Sequence, residues 1–154
     1  MTIAVCGLGY VGSVSAVCLA RAGHIVIGVD VNEDKTRMLR EGIPPVIEEG
    51  LAPLLQEMVL EGNLTATNDL KSALEQADVT LVCVGTPSRA NGSLDTTALE
   101  RVCEDLGHAL KELGKPHTIV MRSTVLPGTC RKLLIPILET AAGKKLDDDL
   151  GVAY

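Results

Sequence analysis

Short apolar runs alternate along this chain with longer stretches of helical periodicity. Thr2–Cys6, Ile25–Val29, Val79–Val84 and Thr118–Met121 read as strands, with a weaker run at Leu64–Thr67. Between them the pattern predicts helices over Tyr10–Ala22, Glu33–Glu41, Leu51–Glu61, Asp69–Gln76, Thr96–Leu113 and Pro127–Ala141. Gly23, Gly42, Gly62, Gly114 and Gly143 fall near the ends of these helices, where a left-handed residue commonly stops one. Alternation of this kind implies an α/β fold, a doubly wound parallel sheet with helices on both faces, in a single domain over 1–154. Lys144–Asp149 reads as a polar surface connection, and Gly151-Val152-Ala153-Tyr154 as the first residues of a sixth strand.

Composition sharpens this picture. The chain has no Trp or Phe and only two Tyr, so its core must come from Val, Leu, Ile and Ala, as in sheets buried on both faces. A formal net charge of −6, with the acids spread along the chain, argues against nucleic-acid or anionic-membrane partners and leaves a small anionic ligand in a local pocket. No basic segment precedes the first apolar run, and no run approaches the roughly 18 residues that span a bilayer, so the cytoplasm is the expected location. The five cysteines form an odd, scattered set without metal-ligand spacing; reduced structural thiols and no metal are expected. Cys130, placed by the pattern at a helix start, is the one candidate for a lowered thiol pKa.

The candidate chemistry begins where the first strand meets the first helix. Gly7, Gly9 and Gly12 form a Gly-x-Gly-x-x-Gly set that follows a strand and opens a helix. At such a junction the first amides of the helix point outward unsatisfied, and the helix dipole places partial positive charge beside them, which suits a pyrophosphate. Gly7 makes the tight turn, Gly9 leaves room for the phosphates, and Gly12 lets the helix lie close to the strand, helped by small Ser13, Ser15, Ala16 and Ala20. About 20 residues on, Asp30 ends the second strand, where a carboxylate accepts hydrogen bonds from a ribose diol and repels a 2′-phosphate. NAD is therefore expected over NADP. Asp30 could instead cap the next helix, although Asn32 and Asp34 are available for that. Lys35 either reaches the same ribose or lies solvated on its helix. Thr86 and Thr124 follow the carboxyl ends of two further strands, facing the crevice where a dinucleotide's distal part would lie; loop hydrogen bonding would explain them equally well.

Taken together, GLGYVG, AGHIVIGVD, CVGTPSRANGSLD and RSTVLPGT resemble the NAD-binding domain of the nucleotide-sugar 6-dehydrogenases, the UDP-glucose/GDP-mannose family, almost end to end. RSTVLPGT, and CVGTPS followed by an Asn-Gly turn, are most similar to the GDP-mannose branch. The stretch Gly42–Leu51 matches the family's linker, with Glu49 where Pro is usual. The resemblance implies that Tyr10 and Val11 contact the cofactor from the glycine loop, that Asp30 and Lys35 hold the adenosine ribose, and that Thr86 and Thr124 line the crevice, Thr124 with an auxiliary catalytic part. It implies oxidation of a sugar C6 alcohol to a carboxylate by two NAD, through an aldehyde trapped on a cysteine. That cysteine, its partner lysine, a glutamate and the nucleotide-sugar contacts lie beyond the region of resemblance. The expectation is thus an N-terminal cofactor domain without its substrate domain, inactive alone, from an enzyme that is a homo-oligomer at full length. Two other readings stand beside it: a non-catalytic NAD-sensing module, and a β-hydroxyacid dehydrogenase cofactor domain, which Asn91-Gly92 followed by Asp95 disfavours.

Overall fold

The computed structural model describes residues 1–146 and 149–154, so positions 147 and 148 of the polar connection lie outside the described residues. Six strands, β1 (Thr2–Cys6), β2 (Ile25–Val29), β3 (Leu64–Thr67), β4 (Val79–Val82), β5 (His117–Met121) and β6 (Leu150–Ala153), form one sheet in the order β3-β2-β1-β4-β5-β6. Every pairing is parallel. Helices α1 (Tyr10–Arg21), α2 (Glu33–Arg40), α3 (Leu51–Leu60), α4 (Leu70–Gln76), α5 (Thr97–Leu113) and α6 (Ile135–Ala142) connect them.

Side chains along a strand alternate between faces, and the core divides accordingly. From β1, Ile3 and Val5 join Ala16 and Val17 of α1 and Leu55 and Met58 of α3 on one face. Ala4 and Cys6 join Leu74 of α4, Leu106 and Leu110 of α5 and Leu138 of α6 on the other. The strand order reverses between β1 and β4, which opens a crevice beyond their carboxyl ends.

Two predicted elements differ from the sequence reading. The strand expected over Val79–Val84 ends at Val82, because the Val82 carbonyl accepts the amides of both Arg122 (2.9 Å) and Ser123 (3.0 Å) and the chain then leaves the ladder. The helix expected over Pro127–Ala141 does not begin at Pro127, which lies in a turn with Gly128. A π-helical turn over Cys130–Leu134 comes first, with the Ile135 amide donating to the Cys130 carbonyl five residues back. Pro136 supplies the reason: it has no amide for the carbonyl four residues before it, and its ring crowds that carbonyl, so the wider turn absorbs the misfit before α6 continues. Elsewhere the differences are of a residue or so at element ends: β5 begins at His117 and β6 runs Leu150–Ala153. Asp69 accepts the Ser72 amide (3.1 Å), and Asp95 accepts the Thr97 amide (3.1 Å), so Asp69 and Thr96 precede their helices.

Candidate functional site

The site is built from the end of β1. Gly7 takes φ +96°, a left-handed conformation that L side chains rarely adopt, and donates its amide to the Val29 carbonyl at the end of β2 (2.7 Å). A Cβ on Gly7 would also meet the Cys83 carbonyl group at 3.0 Å, so the glycine loop lies directly against the chain leaving β4. Leu8 turns inward and is fully buried. Gly9 then faces open space: among the described residues, nothing beyond its two chain neighbours lies within 4 Å of where its Cβ would be. Gly12 is the opposite case: a Cβ there would lie 1.8 Å from the Gly7 carbonyl oxygen.

The start of α1 is left unpaired. Its N-cap, Gly9, has no side chain to cap with, and its first turn carries no acid. The first backbone bond into the helix is from the Ser13 amide to the Gly9 carbonyl (2.9 Å), so among the described residues the amides of Tyr10, Val11 and Gly12 have no backbone acceptor. Three outward donors, a positive dipole end and an open cradle over Gly9 fit a diphosphate.

Asp30 stands beside this loop. Its Oδ2 accepts the Leu8 amide (2.7 Å) and its Oδ1 accepts the Asn32 amide (2.9 Å), while Lys35 Nζ lies 3.5 Å from Oδ2. The helix cap of α2 is Asn32, which accepts the Asp34 amide (2.9 Å). Asp30 thus remains available for ribose hydroxyls, since a carboxylate offers about four acceptor positions. Tyr10, exposed at the start of α1, donates its hydroxyl to Glu48 in the linker before α3, and that bond raises the phenol pKa.

Thr86 and Thr124 meet each other. The Thr86 hydroxyl donates to the Thr124 carbonyl (2.7 Å), and the Ser123 hydroxyl donates to the Val84 carbonyl (2.7 Å), so the loops after β4 and β5 are clasped in both directions. The loop-bonding reading therefore holds for the Thr86 hydroxyl proton, while its oxygen can still accept. The Thr124 side chain is exposed and lines, with Arg122, Val125, Gly128 and Tyr154, a recess of about 440 Å³.

Cys130 is a buried structural thiol, as expected for the set, and its candidacy for a lowered pKa falls away. Its thiol is buried, and burial raises rather than lowers its pKa. Cys6 and Cys103 are pushed up to about 12 and Cys83 is also raised, in each case chiefly by burial. The sequence reading missed Glu48, Ser123 and Gly28. The first two lie in the stretches Gly42–Leu51 and RSTVLPGT, where nothing local singles out their side chains, but Gly28, inside an otherwise β-branched strand, signalled a close approach: a Cβ there would sit 2.9 Å from Leu8 Cδ2.

Known proteins share this fold. The model of the UDP-glucose/GDP-mannose dehydrogenase family, NAD binding domain, matches residues 1–154. GDP-mannose 6-dehydrogenase of Pseudomonas putida is 48% identical over 153 residues, which are 99% of this chain and 35% of that protein. The UDP-glucose 6-dehydrogenase of Haloferax volcanii is 37% identical over 153 residues, again 99% of this chain and 35% of the relative. A crystal structure of a ternary complex of GDP-mannose dehydrogenase from Pseudomonas aeruginosa superimposes with a TM-score of 0.96 at 48% identity, covering 99% of this chain and 35% of that one. The chain thus spans about a third of the length of these relatives. It belongs to the UDP-glucose/GDP-mannose dehydrogenase family and corresponds to the family's NAD-binding domain.

Proposed function

We propose, from that membership and the geometry of the glycine loop, that residues 1–154 are the cofactor domain of a longer nucleotide-sugar 6-dehydrogenase acting on GDP-mannose. The observation that carries the reading is the uncapped start of α1, with three amides that have no acceptor among the described residues, over an open Gly9 and beside Asp30. In this reading the turn made by Gly7, the clearance at Gly9 and the close approach at Gly12 aim the amides of Tyr10 and Val11 at the diphosphate. Asp30 and Lys35 hold the adenosine ribose diol, and the negative carboxylate disfavours a 2′-phosphate. Bound NAD supplies the hydride acceptor. Thr86 fixes the loop carrying Thr124, whose exposed hydroxyl faces the recess at the end of β5 and would touch the reacting part of the complex.

GDP-mannose is favoured over UDP-glucose as the substrate, because relatives of the first kind reach 48% identity where the Haloferax relative of the second reaches 37%. We place the full-length enzyme in the cytoplasm as a homo-oligomer, with its nucleotide-sugar contacts outside this chain. The chain alone binds cofactor without turnover, since Cys6, Cys83, Cys103 and Cys130 are buried thiols unsuited to trapping an aldehyde, and the exposed Cys18 lies in the second half of α1, about two turns from the glycine loop at its start. Calorimetric titration with NAD and NADP, followed by incubation with NAD plus either sugar nucleotide while NADH absorbance is recorded, tests each part. The expected result is a preference for NAD and no NADH. Equal affinities would remove Asp30 from specificity, and sustained sugar-dependent NADH would place a nucleophile within these residues.

A further inference from the structure

We propose that Asp30 is a positioning residue for the phosphate-binding loop, acting through the Leu8 amide, so that one carboxylate sets both ribose recognition and the aim of the loop. The inference rests on the dinucleotide reading of the site. Leu8 is fastened at every polar atom and along its side chain. Its amide donates to Asp30 Oδ2 at 2.7 Å, a short bond to a charged acceptor, and its carbonyl accepts the Ser13 hydroxyl at 3.2 Å. Its side chain is fully buried against Gly28, where even a methyl group would come within 2.9 Å of Cδ2. Gly7, one residue before, is tied to Val29 of the same strand. The end of β2 therefore grips the loop through both residues that precede Gly9, and the unpaired amides of Tyr10, Val11 and Gly12 follow at once. Their direction is set by where Leu8 is held.

A carboxylate serving only the ribose would not need this bond. Oδ1 is taken by the Asn32 amide, and Lys35 sits 3.5 Å from Oδ2, which keeps the charge in place on the side facing the loop. Removing Asp30 leaves the partly buried Leu8 amide without its acceptor, and the loop relaxes to find another. Replacing Asp30 to admit a 2′-phosphate would disturb the phosphate site as well.

An NAD analogue lacking both hydroxyls of the adenosine ribose separates the two tasks, because it cannot bond to Asp30. Its affinity for the wild-type chain and for Asp30→Ala is measured by calorimetry, and amide hydrogen exchange at Leu8 is followed in both free proteins. The expected results are roughly tenfold or greater loss of analogue affinity and roughly tenfold or greater acceleration of Leu8 exchange, with the Ala4 and Val5 amides of β1 unchanged. Equal analogue affinity together with unchanged Leu8 exchange overturns the proposal. If Asp30→Ala does not fold, Asp30→Leu replaces it: the side chain has a similar branched shape and offers no acceptor to Leu8, so the same comparison applies. If the wild type binds neither NAD nor the analogue, the dinucleotide reading fails, and Leu8 exchange alone decides whether Asp30 holds the loop.

Discussion

The Cα of Gly12 packs so closely over Gly7 that a Cβ on Gly12 would lie 1.8 Å from the Gly7 carbonyl oxygen. That oxygen is backbone, in a turn already fixed by φ +96° and by the bond from Gly7 to Val29, so it cannot rotate away. Gly12→Ala must push α1 off the sheet; the expected loss is about 3 kcal/mol or more, at the upper end of overpacking. Gly9 is the matched contrast, with φ −77° and empty space around its Cβ position. Gly9→Val is expected to fold with a loss of about 1 kcal/mol, that of a poorer N-cap, yet to bind no NAD, because its branched side chain fills the diphosphate path. Urea unfolding and NAD titration of both variants check this. Retained NAD binding by Gly9→Val would remove the glycine loop from the site.

Gly107 in α5 makes a similar approach far from the site, at 2.5 Å from a hypothetical Cβ to Ala141 Cβ and 2.9 Å to the Leu138 carbonyl oxygen. Alanine at a helix interior gains about 1 kcal/mol over glycine, whereas overpacking costs about 1–3 kcal/mol. The contact here is with another helix's backbone, so overpacking wins, and Gly107→Ala is expected to lower the urea midpoint. A raised midpoint would show that α5 and α6 can separate at little cost.

The two glycines also mark what was legible in the sequence. Gly12 could be read because its spacing from Gly7 and Gly9 forms a pattern at a strand–helix junction. Gly107 belongs to no pattern; its need is set by Ala141, 34 positions away on another helix. Strand and helix order and the parallel sheet follow from periodicity and appear as expected; the glycine loop and Asp30 could be picked out by spacing, and the two lie side by side, joined through the Leu8 amide. The π-helical turn was hidden because apolar periodicity does not report the hydrogen-bond register that Pro136 imposes. The clasp between Thr86 and Thr124 was hidden too, since a sequence shows two hydroxyl residues at strand ends but not that one donates to the other's carbonyl.

Thiol chemistry gives a third test. Cys18 is exposed on α1, whereas Cys6, Cys83, Cys103 and Cys130 are buried. An aromatic disulfide reagent is expected to label Cys18 alone in the native chain, and all five thiols after unfolding. Peptide mapping identifies the product. Labelling of Cys130 as fast as Cys18 would restore it as a reactive group.

His117 provides the pH dependence. It opens β5 almost wholly buried, with Nε2 2.8 Å from the Thr80 hydroxyl oxygen, and its Nδ1 has no partner among the described residues. Burial, helped by the Lys115 ammonium and opposed by Asp78, pushes its pKa down to about 4 from an ordinary 6.5. Between those values the unfolded chain holds a proton that the folded chain excludes, so the unfolded state binds more protons and stability rises with pH across the window. The contribution is fully present above about pH 6.5 and lost as pH falls through about 4; its size is of order 3 kcal/mol. Urea unfolding of the wild type at intervals from pH 4 to 7 should show this rise, and His117→Gln, which does not titrate, should show a flatter one. The His117 ring resonances should likewise stay in their neutral positions until the pH nears 4. Titration of that ring near 6.5 would mean that water reaches it, and that the buried edge between β4 and β5 opens in solution.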